Sequence, residues 1–260
     1  TGVQTCALPI SIEGASASQR GTGVEHLGES HEFFFTRVAY SERQRGFGFG
    51  RGGRSWATDY PTADRTFTRF IKRLTAIDVC EWEHPVSLAD PELRRFPWIY
   101  AVEVGRGGWS LTDEETENLR GFFAAGGFMV IDDFWGSREW ANFEQEMHRI
   151  LPGREIVEIP MDHSIFNMLY AIDHIEQVPN VRNAQAIAMG YPGASTSEQD
   201  GVVSHVRGIC DDKGRLMVVI NWNTDLGDSW EWADDPYYPL RFSTYAYQLA
   251  ANMIVYSMTH

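Results

Sequence analysis

The chain has 260 residues, with 36 acidic and 22 basic side chains and a formal net charge of −14. Its 43% hydrophobic and 13% aromatic content can fill a core and excludes general disorder. The acidic balance argues against nucleic acid as a partner, and no apolar run approaches the ~20 residues of a membrane span, so no transmembrane segment is expected.

In chain order, residues 1–10 read TGVQTCALPI. Back-translated, they resemble a widely used sequencing-adapter oligonucleotide whose next base suits Ser11. Residues 1–11 are therefore read as adapter read-through and set aside from fold reasoning. That reading implies a missing native N-terminus and removes Cys6 from consideration. Residues 12–31 are rich in Ser, Gly and Glu without periodicity and read as a flexible lead-in. Residues 32–260 read as a single α/β domain, a length near the upper limit for one core.

Within it, Glu32–Tyr40 is aromatic and β-branched, as in a strand. Thr62–Ala76 places Phe67, Phe70, Ile71 and Leu74 at helical spacing. A short strand is expected at Ile77–Glu81, a helical turn at Pro91–Arg95 and an apolar strand at Phe96–Val104. Leu111–Ala125 contains Thr112 and Glu115 in capping-box spacing and stops at Gly126–Gly127. Phe128–Ile131 reads as a buried strand, Arg138–Leu151 as an amphipathic helix, and Gly201–Cys210 and Arg215–Trp222 as strands joined by the DDKG turn. Tyr245–Met258 closes the chain as an apolar helix. This alternation predicts βαβ units and a mostly parallel sheet.

Two remaining cysteines, Cys80 and Cys210, are too few for a disulfide framework or a thiolate zinc site and read as small buried hydrophobes. Gly48-Phe-Gly-Arg-Gly-Gly53 matches G-x-G-x-x-G, but eight residues separate it from the next helix, so it reads as a surface loop rather than a dinucleotide site. Its flanking Arg43, Arg45, Arg51 and Arg54 could meet a phosphate or a sugar acid.

Four motifs, WATDYP at 56–61, DDFWG at 132–136, DHSIF at 162–166 and the run from Asn223 to Pro239, resemble those of a bacterial family of unknown function. That family is similar in fold to class I glutamine amidotransferase-like proteins of the trehalose-utilisation-like branch. The resemblance implies a three-layer, flavodoxin-like α/β fold with a C-terminal hairpin and closing helix. It also implies a MoxR-type ATPase as a possible partner and an exported or membrane-associated location. One departure is immediate: the turn where amidotransferases carry their nucleophilic Cys holds Asp132, Asp133 and Phe134 here. Thiolate glutamine hydrolysis is not expected.

In open parallel sheets, ligands bind beyond the carboxyl ends of the strands. Those ends lead to Arg37, Trp56 and Asp59; to Glu103; to Asp132, Asp133 and Trp135; and to Asn221, Asn223 and Asp225. Loops at Asp162–His163 and Trp230–Asp235, the latter with Asp234, either close over them or simply cover the sheet edge. Carboxylates, amides and Trp suit a small polar ligand such as a sugar or sugar acid. A binding or regulatory module is therefore expected. The alternatives are a hydrolase or lyase-like enzyme using Asp132 or Asp133 as base and His163 as acid, and an assembly component docking an ATPase. No HExxH, EF-hand or paired-His spacing occurs, so neither metal nor cofactor is assigned. Of the adjacent pair, strand alternation sends one side chain into the crevice, expected to be Asp133, and leaves Asp132 to cap a helix near Ser137 or bond backbone amides.

Overall fold

The computed structural model describes residues 31–41, 55–105 and 109–260. The adapter-like segment, most of the lead-in and the Gly/Arg loop with Arg43, Arg45, Arg51 and Arg54 lie outside the described residues. The strands are β1 (Thr36–Ala39), β2 (His84–Ser87), β3 (Trp98–Val102), β4 (Phe128–Asp132), β5 (Val157–Glu158), β6 (His205–Cys210) and β7 (Leu216–Trp222). The helices are α1 (Thr62–Leu74), α2 (Asp113–Ala124), α3 (Gly136–Ile150), α4 (Val181–Ala188), α5 (Leu226–Glu231) and α6 (Leu240–Thr259).

The seven strands form one sheet in the order β2-β1-β3-β4-β7-β6-β5. The pairings from β2 through β7 are parallel, and β6 and β5 add an antiparallel edge. Side-chain alternation sorts the strand residues onto two cores. Tyr100, Val102, Phe128 and Val130 pack with Phe67 of α1, Trp230 of α5 and Phe242 of α6. Ile99, Ala101, Met129 and Ile131 pack with Leu119 of α2 and Phe143 of α3. Helices therefore cover both faces, and the parallel strands read as near-continuous apolar runs because neither side meets water.

Local chemistry explains several boundaries. Thr112 Oγ1 accepts the Glu115 amide at 3.2 Å while Glu115 Oε2 accepts the Thr112 amide at 2.8 Å, completing the expected capping box. The expected strand at Ile77–Glu81 is corrected: Val79 makes only an isolated bridge to Phe33, and the edge strand is His84–Ser87. An edge position accommodates Pro85, which cannot donate to a ladder on both sides. Helices α4 and α5 were not expected. Trp230 lies inside α5 and is buried, its ring centroid 4.6 Å from Phe67 and 5.4 Å from Tyr100. It is a core residue rather than part of a lid. Among the described residues, no helix is long and apolar enough to cross a membrane.

Candidate functional site

The site is built from three turns at the carboxyl edge of the sheet. Each holds an acidic or amide residue at positive φ: Asp59 at 61°, Asp133 at 49° and Asn223 at 61°, with Glu103 at 56° beside them after β3. Such conformations are uncommon for residues with a Cβ and concentrate where surrounding structure holds them for a purpose.

Arg37 organises the first turn. Its Nε donates to both Asp64 oxygens at 3.0 and 3.1 Å, and its Nη1 donates to the carbonyls of Trp56 and Thr58 at 3.2 and 3.0 Å. The guanidinium is wholly buried and spent on these partners. It positions the turn that carries Asp59 and offers nothing to a ligand, which corrects the expectation for Arg37. Trp56 serves the same turn through its carbonyl.

The second turn separates the adjacent acids. Asp132 continues the β4 alternation toward α5, where its Oδ2 accepts the Tyr100 hydroxyl at 2.7 Å and the amides of Leu226 and Gly227 at 3.0 and 3.1 Å. It bonds the first two amides of α5 rather than capping a helix near Ser137, whose amide is taken by Asp200 at 2.9 Å. Burial pushes the Asp132 carboxyl up to about 6, opposed by the Tyr100 hydroxyl and the two amides. Asp133 Oδ1 accepts the Trp135 indole N–H at 3.1 Å. Trp135 is fully buried, so its face is closed to a sugar.

The third turn leads from β7 into α5. Asn223 Oδ1 accepts the Gly136 amide at 2.8 Å, and its Nδ2 donates to Val203 O at 2.7 Å, tying this turn to the second. Asn221 donates to Ile131 O at 3.1 Å. Asp225 is the N-cap of α5, accepting the Asp228 amide at 2.8 Å.

Two groups of carboxylates meet here. In Asp59, Asp133 and Asp225, one oxygen from each lies within 4.8 Å of the others, and the same holds for Asp59, Asp228 and Glu231. Asp59 belongs to both. Burial raises the Asp59 carboxyl well above the usual carboxylate range, with Asp228 adding to the effect. Burial, then Asp133 and Asp228, raises Asp225 in the same direction. Burial also raises Asp228, and burial followed by Asp228 raises Glu231.

Other expected residues stand elsewhere. His163 packs against Tyr256, ring centroids 5.7 Å apart, and Tyr256 accepts the Leu216 amide at 3.1 Å and lies 5.9 Å from Phe128. Leu216 and Phe128 begin their strands, and the run from Phe128 to Asp132 covers about 13 Å at ~3.3 Å per residue. His163 thus lies toward the opposite edge and does not join the aspartates. Asp234 is exposed, and Asp235 accepts the Gln185 amide nitrogen at 3.1 Å. Cys80 follows α1 and Cys210 ends β6; neither is in a disulfide, and both belong to elements other than the Asp133 turn. Asp228 and Glu231 were not singled out from sequence, although Asp225-x-x-Asp228-x-x-Glu231 has the spacing that aligns acids along one helix face.

Fold and site together define an α/β protein with a mostly parallel seven-stranded sheet and a cluster of carboxylates at its carboxyl edge. Residues 35–258 match the family described as Domain of unknown function (DUF4159), and the chain belongs to it. Comparison with curated proteins gave no match.

Proposed function

We propose that the chain is a ligand-binding module on a class I amidotransferase-like scaffold, with the carboxylate crevice as its site. The parallel strand order 2-1-3-4-7 supports the scaffold, since it is the flavodoxin-like order with an antiparallel addition at one edge. The observation that carries the function is the convergence of Asp59, Asp133, Asp225, Asp228 and Glu231 from three turns distant in sequence. A purely structural turn set does not require acids to face one another at a cost in repulsion.

The same geometry narrows the ligand. An anionic sugar acid would meet like charge, so the crevice suits a neutral polyol or a cationic polar molecule. The hydrolase reading with His163 as general acid has no support, because His163 lies toward the other end of the sheet. Docking of a partner ATPase draws on the resemblance alone.

A thermal-shift series with neutral sugars, sugar acids and amino sugars tests the proposal. A neutral or amino sugar should raise Tm in the wild type and not in D225N, since a ligand at 100 times its Kd adds ~2.7 kcal/mol. Equal response of both proteins, or response only to sugar acids, would overturn it.

A further inference from the structure

Between α1 and α6 the surface opens into a groove of about 320 Å³ that shares no lining residue with the carboxylate cluster. Phe70 and Leu74 line it from α1, and Leu240, Thr244, Tyr247 and Gln248 from α6. The Tyr247 ring stacks on Phe70 with centroids 4.1 Å apart, giving the groove an aromatic base. Leu74 is 52% and Leu240 76% exposed. Large apolar side chains that meet water beside a cavity mark an interaction surface rather than a core.

Charge identifies the occupant. The chain carries −14 overall, yet both helices of the groove are basic on their exposed sides. In α1 the single acid, Asp64, is buried against Arg37, and the exposed charged residues are Arg65, Arg69, Lys72 and Arg73. Arg65 and Lys72 pair with Glu83 and Glu81. Among the described residues, Arg69 and Arg73 form no ion pair. They precede the lining residues Phe70 and Leu74 and stand four apart, so they run along one flank of the groove. The charged residue of α6 is Arg241, which pairs with Glu176. Asp234, next to the lining Ala233, is the acid at one end.

A second copy of the chain does not supply the complement. Among the described residues, the large apolar side chains exposed on helices are Leu74, Leu240 and Met258, all on α1 or α6, and neither helix has an exposed acid. A second copy thus offers no helix that joins exposed acids to an exposed apolar anchor, and two chains at −14 repel.

We infer that the groove takes an acidic amphipathic helix of another protein. Apolar side chains one turn apart seat over Phe70 and Tyr247, and carboxylates on the same flank meet Arg69 and Arg73. Positions i and i+4 present such pairs on one helix face, and recognition of a helix in a groove is read from anchors at that spacing. This docking face stands or falls apart from the ligand-binding reading of the carboxylate cluster.

The experiment uses the full chain and three fluorescein-labelled peptides of equal length. One is a helix former with Glu on its polar face and Leu on its apolar face, the second has Lys in place of Glu, and the third is a scramble of the first. Fluorescence anisotropy should show saturable binding of the Glu amphipathic peptide alone, with a Kd below ~100 μM that rises with salt. R69E combined with R73E should weaken it by ~10-fold or more, and so should L240S, at ~10-fold for the lost apolar contact. R182E, on the exposed side of α4, should leave it unchanged. These are surface substitutions, so a Tm equal to wild type confirms that the fold is intact. No saturable binding of the Glu peptide, equal binding of the Lys or scrambled peptide, or unchanged affinity in both groove variants would overturn the inference. Sedimentation with vesicles of phosphatidylcholine and phosphatidylglycerol, or a dimer seen by light scattering, that is lost in L240S would assign the groove to a lipid surface or to a second copy and equally overturn it.

Discussion

The Asp132 carboxylate at the end of β4 accepts the backbone amide of Leu226 at 3.0 Å, although 94 residues separate the two. With the Gly227 amide and the Tyr100 hydroxyl on the same oxygen, this contact fixes the start of α5 against the sheet. Asp132→Ala would strand three buried donors and should cost roughly 2–5 kcal/mol, at ~1–3 kcal/mol for each unsatisfied group and less than additive. Asp132→Asn keeps an acceptor and should stay within about 1.5 kcal/mol of wild type. Urea unfolding of the two variants measures the difference, and equal losses would show that the oxygen does not act as this anchor.

The same residue gives a pH dependence of defined sign. Its folded value of about 6 stands above the ordinary unfolded value of ~3.9. The folded state therefore holds the proton more tightly, and the associated stability is complete below about pH 4 and lost as pH rises through about 6. Asp59, Asp225, Asp228 and Glu231, the acids around it, are shifted the same way by burial. The protein should thus be more stable at pH 5 than at pH 7.5, by about 1.4 kcal/mol from Asp132 alone. D132N should flatten the gradient. A stability maximum at pH 7.5 would contradict the assignment.

Arg37 and Asp64 are both fully buried, and the pair supports a turn rather than a ligand. Arg37→Met leaves an uncompensated carboxylate in the interior and should cost ~3–5 kcal/mol. Arg37→Met combined with Asp64→Leu should recover much of that loss, since apolar replacement of a buried pair is often near neutral. It would not restore the anchor on the Trp56 and Thr58 carbonyls, so Asp59 should stay misplaced and the response to a neutral or amino sugar absent. Recovery of stability and of the sugar response together in the double variant would assign the pair a purely energetic role.

The legible part of this fold was the part whose chemistry is local. Apolar runs such as Phe128–Ile131, the Thr112–Glu115 capping box and the DDKG turn state their structure within a few residues. Helix α5 was hidden because six residues, LGDSWE, are too short to show a period, and its acids read as loop residues. The edge strand was misplaced because Pro85 argues against a strand until its edge position is known. His163 was misassigned because sequence order shows where a strand ends but not where a long return segment crosses the sheet. The acids at the ends of β4 and β7 could be gathered from sequence since parallel strands place those ends together. Which of them touch depended on α5 folding back over β4, a tertiary relationship with no local signature.

Gly227 offers a way to disturb the crevice without altering its charge. It sits in the first turn of α5 at an ordinary helical backbone, so no conformational reason demands glycine. What excludes a side chain is proximity: a Cβ there would lie 2.5 Å from Asp59 Oδ2 and 3.2 Å from the Tyr100 hydroxyl. In Gly227→Ala, the Asp59 carboxylate is the group that must give way, because Tyr100 is locked into the core and bonded to Asp132. Helix propensity favours Ala by up to ~1 kcal/mol, which should offset much of the steric cost and keep the net change within about 1.5 kcal/mol. The Gly227 amide still reaches Asp132. The expected outcome is a folded protein with Tm close to wild type but without the Tm rise that a neutral or amino sugar gives the wild type. Full retention of that response in G227A would mean that the Asp59 carboxylate need not occupy its observed position for binding, and the part assigned to Asp59 in the site would fall.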